Sequence, residues 1–477
     1  MLRLYLRKKI SPSYRFYKRD SLKRLLMRLI KVFVMIFLFL PACRTTRDTV
    51  IPHVRGSESQ QVIERIYAEE IAMKFPEPES KAPGEQVRRP APEKAPGQPE
   101  SPEPAGETPE VEVDLPENTA VSERDAAVWL SEEYLESLTL EQKIGQRFIA
   151  HLQGTELSKQ VERMISDEYV AGFIIYPWNV KSSDQVKSLT ASMQRTALGN
   201  DPSIQLFICV DQEGGRVNAF KLNEVSRFPA PYYWAQYDDP QFVESAAYII
   251  SKEISELGCN MNFAPVLDVY GIPDKTVIGD RSMGSDPEAV GRYGISYIRG
   301  ASKAGIIPVM KHFPGHGYTA VDSHHKLPVV RLEEAELHAW DMKPFKMAIE
   351  QGADAVMTSH VLYSNLDPHY PATLSSHILR NILREQYGFR GVIVSDGIAM
   401  GAISNNYDVT ETLKLSFKAG IDLILVHSSY DLSDLKKRVH RLYRRGEIND
   451  EDIDEGVRRV LALKLKYGLL PESLPDV

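Results

Sequence analysis

The sequence predicts an α/β fold, a (β/α)8 TIM-like barrel. Three observations carry this. Short apolar runs recur at 148–152, 171–176, 205–210, 259–265, 306–310, 355–358, 392–395 and 423–426. Longer helical patterns separate them, which implies a parallel sheet, and eight such units in about 340 residues suit a closed barrel. Polar residues with chemistry to offer follow the runs: Asp211, Asp268, Lys311 with His312, Ser359 with His360, Asp396 and His427. In barrels of this kind the C-terminal strand ends carry the active site. An open doubly wound sheet is the alternative, because pattern alone leaves closure undecided.

Taken in order, the chain begins with a leader over 1–43. A basic stretch at 23–31 precedes an apolar run at 32–40 that is too short to span a membrane comfortably. Leu40-Pro41-Ala42-Cys43 resembles a bacterial lipobox, with cleavage before Cys43 and lipid on its thiol, although Pro41 replaces the usual small residue. An uncleaved anchor and a start at Met27 are alternatives; each implies export to the cell envelope. Residues 44–120 read as a disordered tether. A modest amphipathic piece at 59–74 leads into 75–120, which is dense in Pro, Glu, Lys and Gly and has too little apolar surface to fold. The folded domain spans 121–477, and Thr139 caps a helix starting at Leu140.

Bulk properties exclude several classes. A net charge of −8 over 477 residues, with no interleaving of basic and aromatic residues apart from the extreme N-terminus, gives no footprint for nucleic acid. Three cysteines make no disulfide framework, and Cys209 and Cys259 read as buried thiols. Gly214-Gly215 lacks the spacing of a nucleotide-binding loop.

Chemistry is densest in KHFPGHGYTAVDSHH at 311–325. The apolar run before it stops at Met310, so Lys311 and His312 are expected where a strand gives way to a loop. Three readings compete. One is a solvated loop. A second is a metal site drawing on His312, His316, His324, His325 and Asp322, against which Pro314 and two glycines count, since they disfavour the helix that would align His312 with His316. The third is an Asp322–His324 dyad, in which a carboxylate orients an imidazole that trades protons near neutral pH. That contact needs a tight turn. Adjacent Lys311 and His312 need a bend or bulge to face one ligand. Asp396 suits either a nucleophile or a helix cap, with Ser395 available for the second job.

DQEGGRV at 211–217, IGDRSMGSDP at 278–287, KHFPGHG followed four residues later by DSH, PATLS at 371–375 and VSDGIAMGA at 394–402 resemble glycoside hydrolase family 3. The likeness covers about 138–468 and is strongest to the single-domain bacterial β-N-acetylglucosaminidases. It implies Asp396 as nucleophile, His324 as general acid and base, and Asp322 as its orienting partner. Asp211, Arg281, Lys311 and His312 then hold sugar hydroxyls, with Asp268 a further candidate; Asp280 and Asp286 offer Arg281 a purely structural pairing. Two departures stand out: Gly397 replaces a frequent second aspartate, and Asn218-Ala219 replace a basic residue. The implied activity is a retaining exo-β-N-acetylhexosaminidase, monomeric and without metal or organic cofactor, acting on peptidoglycan fragments or glycoconjugates. A phosphorylase, a zinc hydrolase and a non-catalytic glycan-binding lipoprotein are the rivals.

Overall fold

The computed structural model describes residues 131–270, 277–317, 319 and 322–471. The expected leader, Cys43 and the tether lie outside the described residues. Eight parallel strands form one sheet: β1 (Phe148–His151), β2 (Gly172–Ile175), β3 (Phe207–Val210), β4 (Met261–Asn262), β5 (Ile307–Phe313), β6 (Ala355–Thr358), β7 (Val392–Val394) and β8 (Ile424–Val426). Their order is β7-β6-β5-β4-β3-β2-β1-β8, and a parallel bridge between Val394 and Leu423 joins the two outer strands. The ring therefore closes, and the open-sheet alternative is set aside.

Two strand lengths differ from the sequence expectation. β4 pairs over only two residues before the chain turns at Pro265, so the apolar run there exceeds its ladder. β5 runs past Met310 to Phe313, which places Lys311 and His312 inside a strand rather than at the head of a loop. Its register against β6 slips between Met310 and Phe313. At such an irregularity neighbouring side chains depart from strict alternation between the two faces.

Alternation sorts the apolar side chains into two bodies. Ile149, Ile174, Phe207, Cys209, Met261, Val309, Met357, Val394 and Leu425 pack inside the barrel. Their sequence neighbours Phe148, Ala150, Phe173, Ile208, Met310, Val356 and Ile393 pack outward against the helices. Each large side chain so buried contributes about 1.5–3 kcal/mol. Cys209 and Cys259 are buried free thiols. Thr139 caps its helix as expected, accepting from the Gln142 N–H while the Gln142 side chain accepts from the Thr139 N–H.

The β7–β8 seam has the thinnest ladder, and a buried carboxylate reinforces it. Asp422 accepts from the Ile393 N–H of β7 at 2.7 Å, from Arg384 at 2.6 Å and from Arg459 at 2.9 Å. Higher in the seam, Ser395 Oγ accepts from the Leu425 N–H at 3.0 Å. From β1's edge, Arg147 donates to the carbonyls of Ile421, Asp422, Asp452 and Ile453. Removing Asp422 leaves two guanidinium groups without their shared partner. Asp422→Ala is expected to cost about 3–5 kcal/mol in urea unfolding; a loss below about 1 kcal/mol would contradict this account of the seam.

Candidate active site

A strand whose inward residues are i and i+2 points i+4 inward as well. Continuing each apolar run by that rule puts His151, Tyr176, Asp211, Lys311, Ser359, Asp396 and His427 in the top layer of the barrel. Contacts agree with this. The Lys311 ammonium donates to Asp211 at 2.7 Å, the Tyr176 hydroxyl lies 2.7 Å from His151 Nε2, and the His151 and His427 rings meet at 4.6 Å.

One wall of the mouth is charged. Glu213, two residues beyond Asp211 in the DQEGGRV motif, is almost fully buried and accepts from Lys311 at 2.5 Å. Arg281 binds it in a fork, through Nε at 2.8 Å and a terminal nitrogen at 2.7 Å. Burial opposes the charge on Glu213, yet the Arg281 and Lys311 cations pull its carboxyl down to about 2. Burial likewise disfavours the Lys311 ammonium, and Asp211 and Glu213 more than compensate, raising its pKa. Arg281 thus pairs with Glu213, not with Asp286 or Asp280, the latter lying 3.4 Å from Arg216. Sequence reasoning missed Glu213; its i+2 relation to Asp211 was the available signal.

His312 follows on the bulged strand. Its Nδ1–H donates to Asp268 at 2.6 Å, and its own N–H donates to the other Asp268 oxygen at 3.1 Å. The His316 N–H adds a third bond to Asp268 at 2.7 Å. Burial works against the Asp268 charge, but the two histidines overcome it and hold the carboxyl low. Asp268 has no exposed surface, so it orients His312 and does not reach a sugar. Among the described residues, no protein group bonds His312 Nε2, which is left for a ligand.

The loop after β5 is built in the same motif. Gly317 packs on the backbone of Val269, where a Cβ would come within 2.2 Å of its carbonyl oxygen. His316 bonds Thr319 Oγ1 through Nδ1 at 2.5 Å and Ser323 Oγ through Nε2 at 3.1 Å. Both its nitrogens are engaged, and burial with His312 nearby lowers its pKa to about 4. Asp322 closes the required tight turn, accepting from the His324 N–H at 2.8 Å and from His324 Nδ1 at 2.7 Å. The His324 side chain is 58% exposed, leaving Nε2 accessible from solvent; His325 is exposed beside it.

Asp396 comes straight after β7 and Ser395 and takes one N–H, from Gly397 at 2.7 Å. Burial raises its pKa, but His360, His312, the Gly397 N–H and His324 together lower it below the ordinary aspartate range. His360, which the sequence marked only as a polar residue following its run, is buried between Thr373 Oγ1 at 2.8 Å and the Gly397 carbonyl at 3.0 Å. Neither Asp396 nor Ser395 caps the helix Gly401–Ser404. The Gly401 and Ala402 N–H groups donate instead to the carbonyls of His324 and Ser323, each at 3.0 Å. The imidazole loop is therefore seated on the segment that follows Asp396. Asn218 bonds within its own turn, to Gly214 and Gly215. The Glu213 carboxylate, ordinarily near 4.5 and here near 2, stabilises the fold above pH 4.5 and loses that contribution as pH falls toward 2. Glu213→Gln is expected to be less stable near neutral pH by on the order of 3 kcal/mol. Urea melts across acid pH should show that gap narrowing; a constant gap would mean the pair does not titrate this way.

A family model described as the glycosyl hydrolase family 3 N terminal domain matches residues 139–463. Beta-hexosaminidase A of Pseudoalteromonas piscicida is 31% identical over 343 residues, 67% of this chain and 56% of that protein. A Methylobacillus flagellatus Beta-hexosaminidase is 36% identical over 59% of this chain and 80% of its own length. Among solved structures, a family 3 β-N-acetylglucosaminidase from a Paenibacillus strain superposes with a TM-score of 0.67 at 38% identity. The match covers 71% of this chain and 64% of that one. The chain thus spans less than two thirds of two of these relatives, yet the match takes in every strand of the barrel, and it belongs to glycosyl hydrolase family 3.

Proposed function

We propose that the protein is a retaining exo-β-N-acetylhexosaminidase that releases terminal N-acetylglucosamine through a covalent glycosyl–Asp396 intermediate. The observation that carries the reading is the seating of the His324 loop on the helix behind Asp396, which holds a carboxylate and an oriented imidazole at one mouth. Relatives named β-hexosaminidase and β-N-acetylglucosaminidase support the sugar class.

In the first step, Asp396 attacks the anomeric carbon as His324 Nε2–H protonates the leaving oxygen. Asp322 stabilises the imidazolium before transfer. In the second, neutral His324 takes a proton from water, which attacks the same carbon and frees Asp396. The lowered pKa of Asp396 keeps it ionised for attack. Asp211, Lys311, Arg281 and His312 are assigned to the sugar hydroxyls, with Glu213 fixing the two cations. The substrate is a glycan ending in β-N-acetylglucosamine, drawn from peptidoglycan fragments or glycoconjugates.

Asp396→Ala is expected to abolish turnover of a chromogenic N-acetylglucosaminide, and a slow fluorinated donor should label Asp396 in the wild type. Label on another residue would overturn the assignment. His324→Ala should lower kcat/KM by about 10²–10⁴-fold. We further propose a monomer tethered to the cell envelope through lipid on Cys43, supported by the leader composition. Incorporation of labelled palmitate that Cys43→Ala abolishes is the expected result; equal labelling of both proteins would refute it.

A further inference from the structure

The wall of the mouth beside the charged cluster, on the neighbouring strand β2, is aromatic, and neither step of the reaction uses it. Tyr176 continues β2 into the top layer, with its hydroxyl 2.7 Å from His151 Nε2. Burial, and then the nearby charges of Asp211 and Asp396, raise its pKa, so it remains a neutral phenol beside the catalytic carboxylate. Two residues on, Trp178 stacks on Tyr176 with centroids 4.4 Å apart and planes within 11°. Yet Trp178 is 63% exposed, the highest among the large apolar side chains described.

That exposure is held in place. Trp178 sits in the short 3-10 turn Pro177–Asn179, where φ of the first residue is set by proline. Fully buried Asn179 locks the turn: its amide donates to the Leu152 carbonyl at 3.1 Å and the Gly154 carbonyl at 2.7 Å, and its oxygen accepts from the Tyr176 N–H at 2.9 Å. An indole fixed in this way loses little conformational freedom when a ligand packs on it. Tyr176 borders the carboxylates where the bond is cut, and Trp178 stands one ring further out. An exo-acting enzyme places every ring beyond the one it releases on the leaving side, and sugar rings present C–H faces suited to an aromatic surface.

We infer that Trp178, backed by Tyr176, is the platform for the leaving-side sugar, and so sets a preference for glycan over small aglycones. This rests on the hexosaminidase reading. Its test compares kcat/KM on N,N′-diacetylchitobiose, which has a second ring, with that on methyl β-N-acetylglucosaminide, which has none. Trp178→Ala should lower the chitobiose-to-methyl ratio about tenfold, and Trp178→Phe should restore most of it. Because the ratio is internal to each protein, partial misfolding cancels. If the wild type cleaves both glycosides and the ratio stays unchanged in Trp178→Ala, the platform is refuted and the activity stands. If the wild type cleaves neither, the activity itself falls, and the platform with it.

Discussion

Strand alternation inside a closed sheet is the constraint on which the site depends. Once Ile149, Ile174, Cys209, Val309, Val394 and Leu425 face the axis, residues two further along have no choice of side. At the bottom that parity requires apolar bulk. At the top, where the barrel meets water, it delivers His151, Tyr176, Asp211, Lys311, Asp396 and His427 to one opening. A slip of one residue in any strand would exchange its chemical group for a core methyl.

Charge at this opening is arranged as a closed account between opposite signs. Lys311 and Arg281 share Glu213, and Asp211 adds a second anion to Lys311. Buried charges of this kind are tolerable only when mutually satisfied, and here each has a short, directed partner. Asp396 is treated differently. It receives one backbone bond and the field of surrounding imidazoles, so it stays anionic without a cation locked against it.

Much of this was legible beforehand. All eight strands appeared as apolar runs, because parallel strands covered on both faces leave an unbroken signature. The Thr139 cap and the Asp322–His324 contact were readable because both are local, closing within three residues. What escaped was non-local. Glu213 looked like one more acid in a glycine-rich turn until Arg281, 68 residues away, reached it. His360 was noted only as a residue following a run, and its bond to Gly397 spans 37 positions. Asp268 was expected nearer the sugar; its three bonds to His312 and His316 depend on how the chain turns after β4, which no spacing encodes.

The loop bearing His324 is moored through main-chain oxygens of Ser323 and His324, with Asn405 gripping the carbonyl of His325. At Gly401 a Cβ would come within 2.9 Å of two of those oxygens, so the mooring post must be bare. Anchorage by backbone frees the flanking side chains from any structural duty. Residues such as His325 and Lys326 can be exchanged without loosening that mooring, while the imidazole loop keeps its seat on the segment after Asp396.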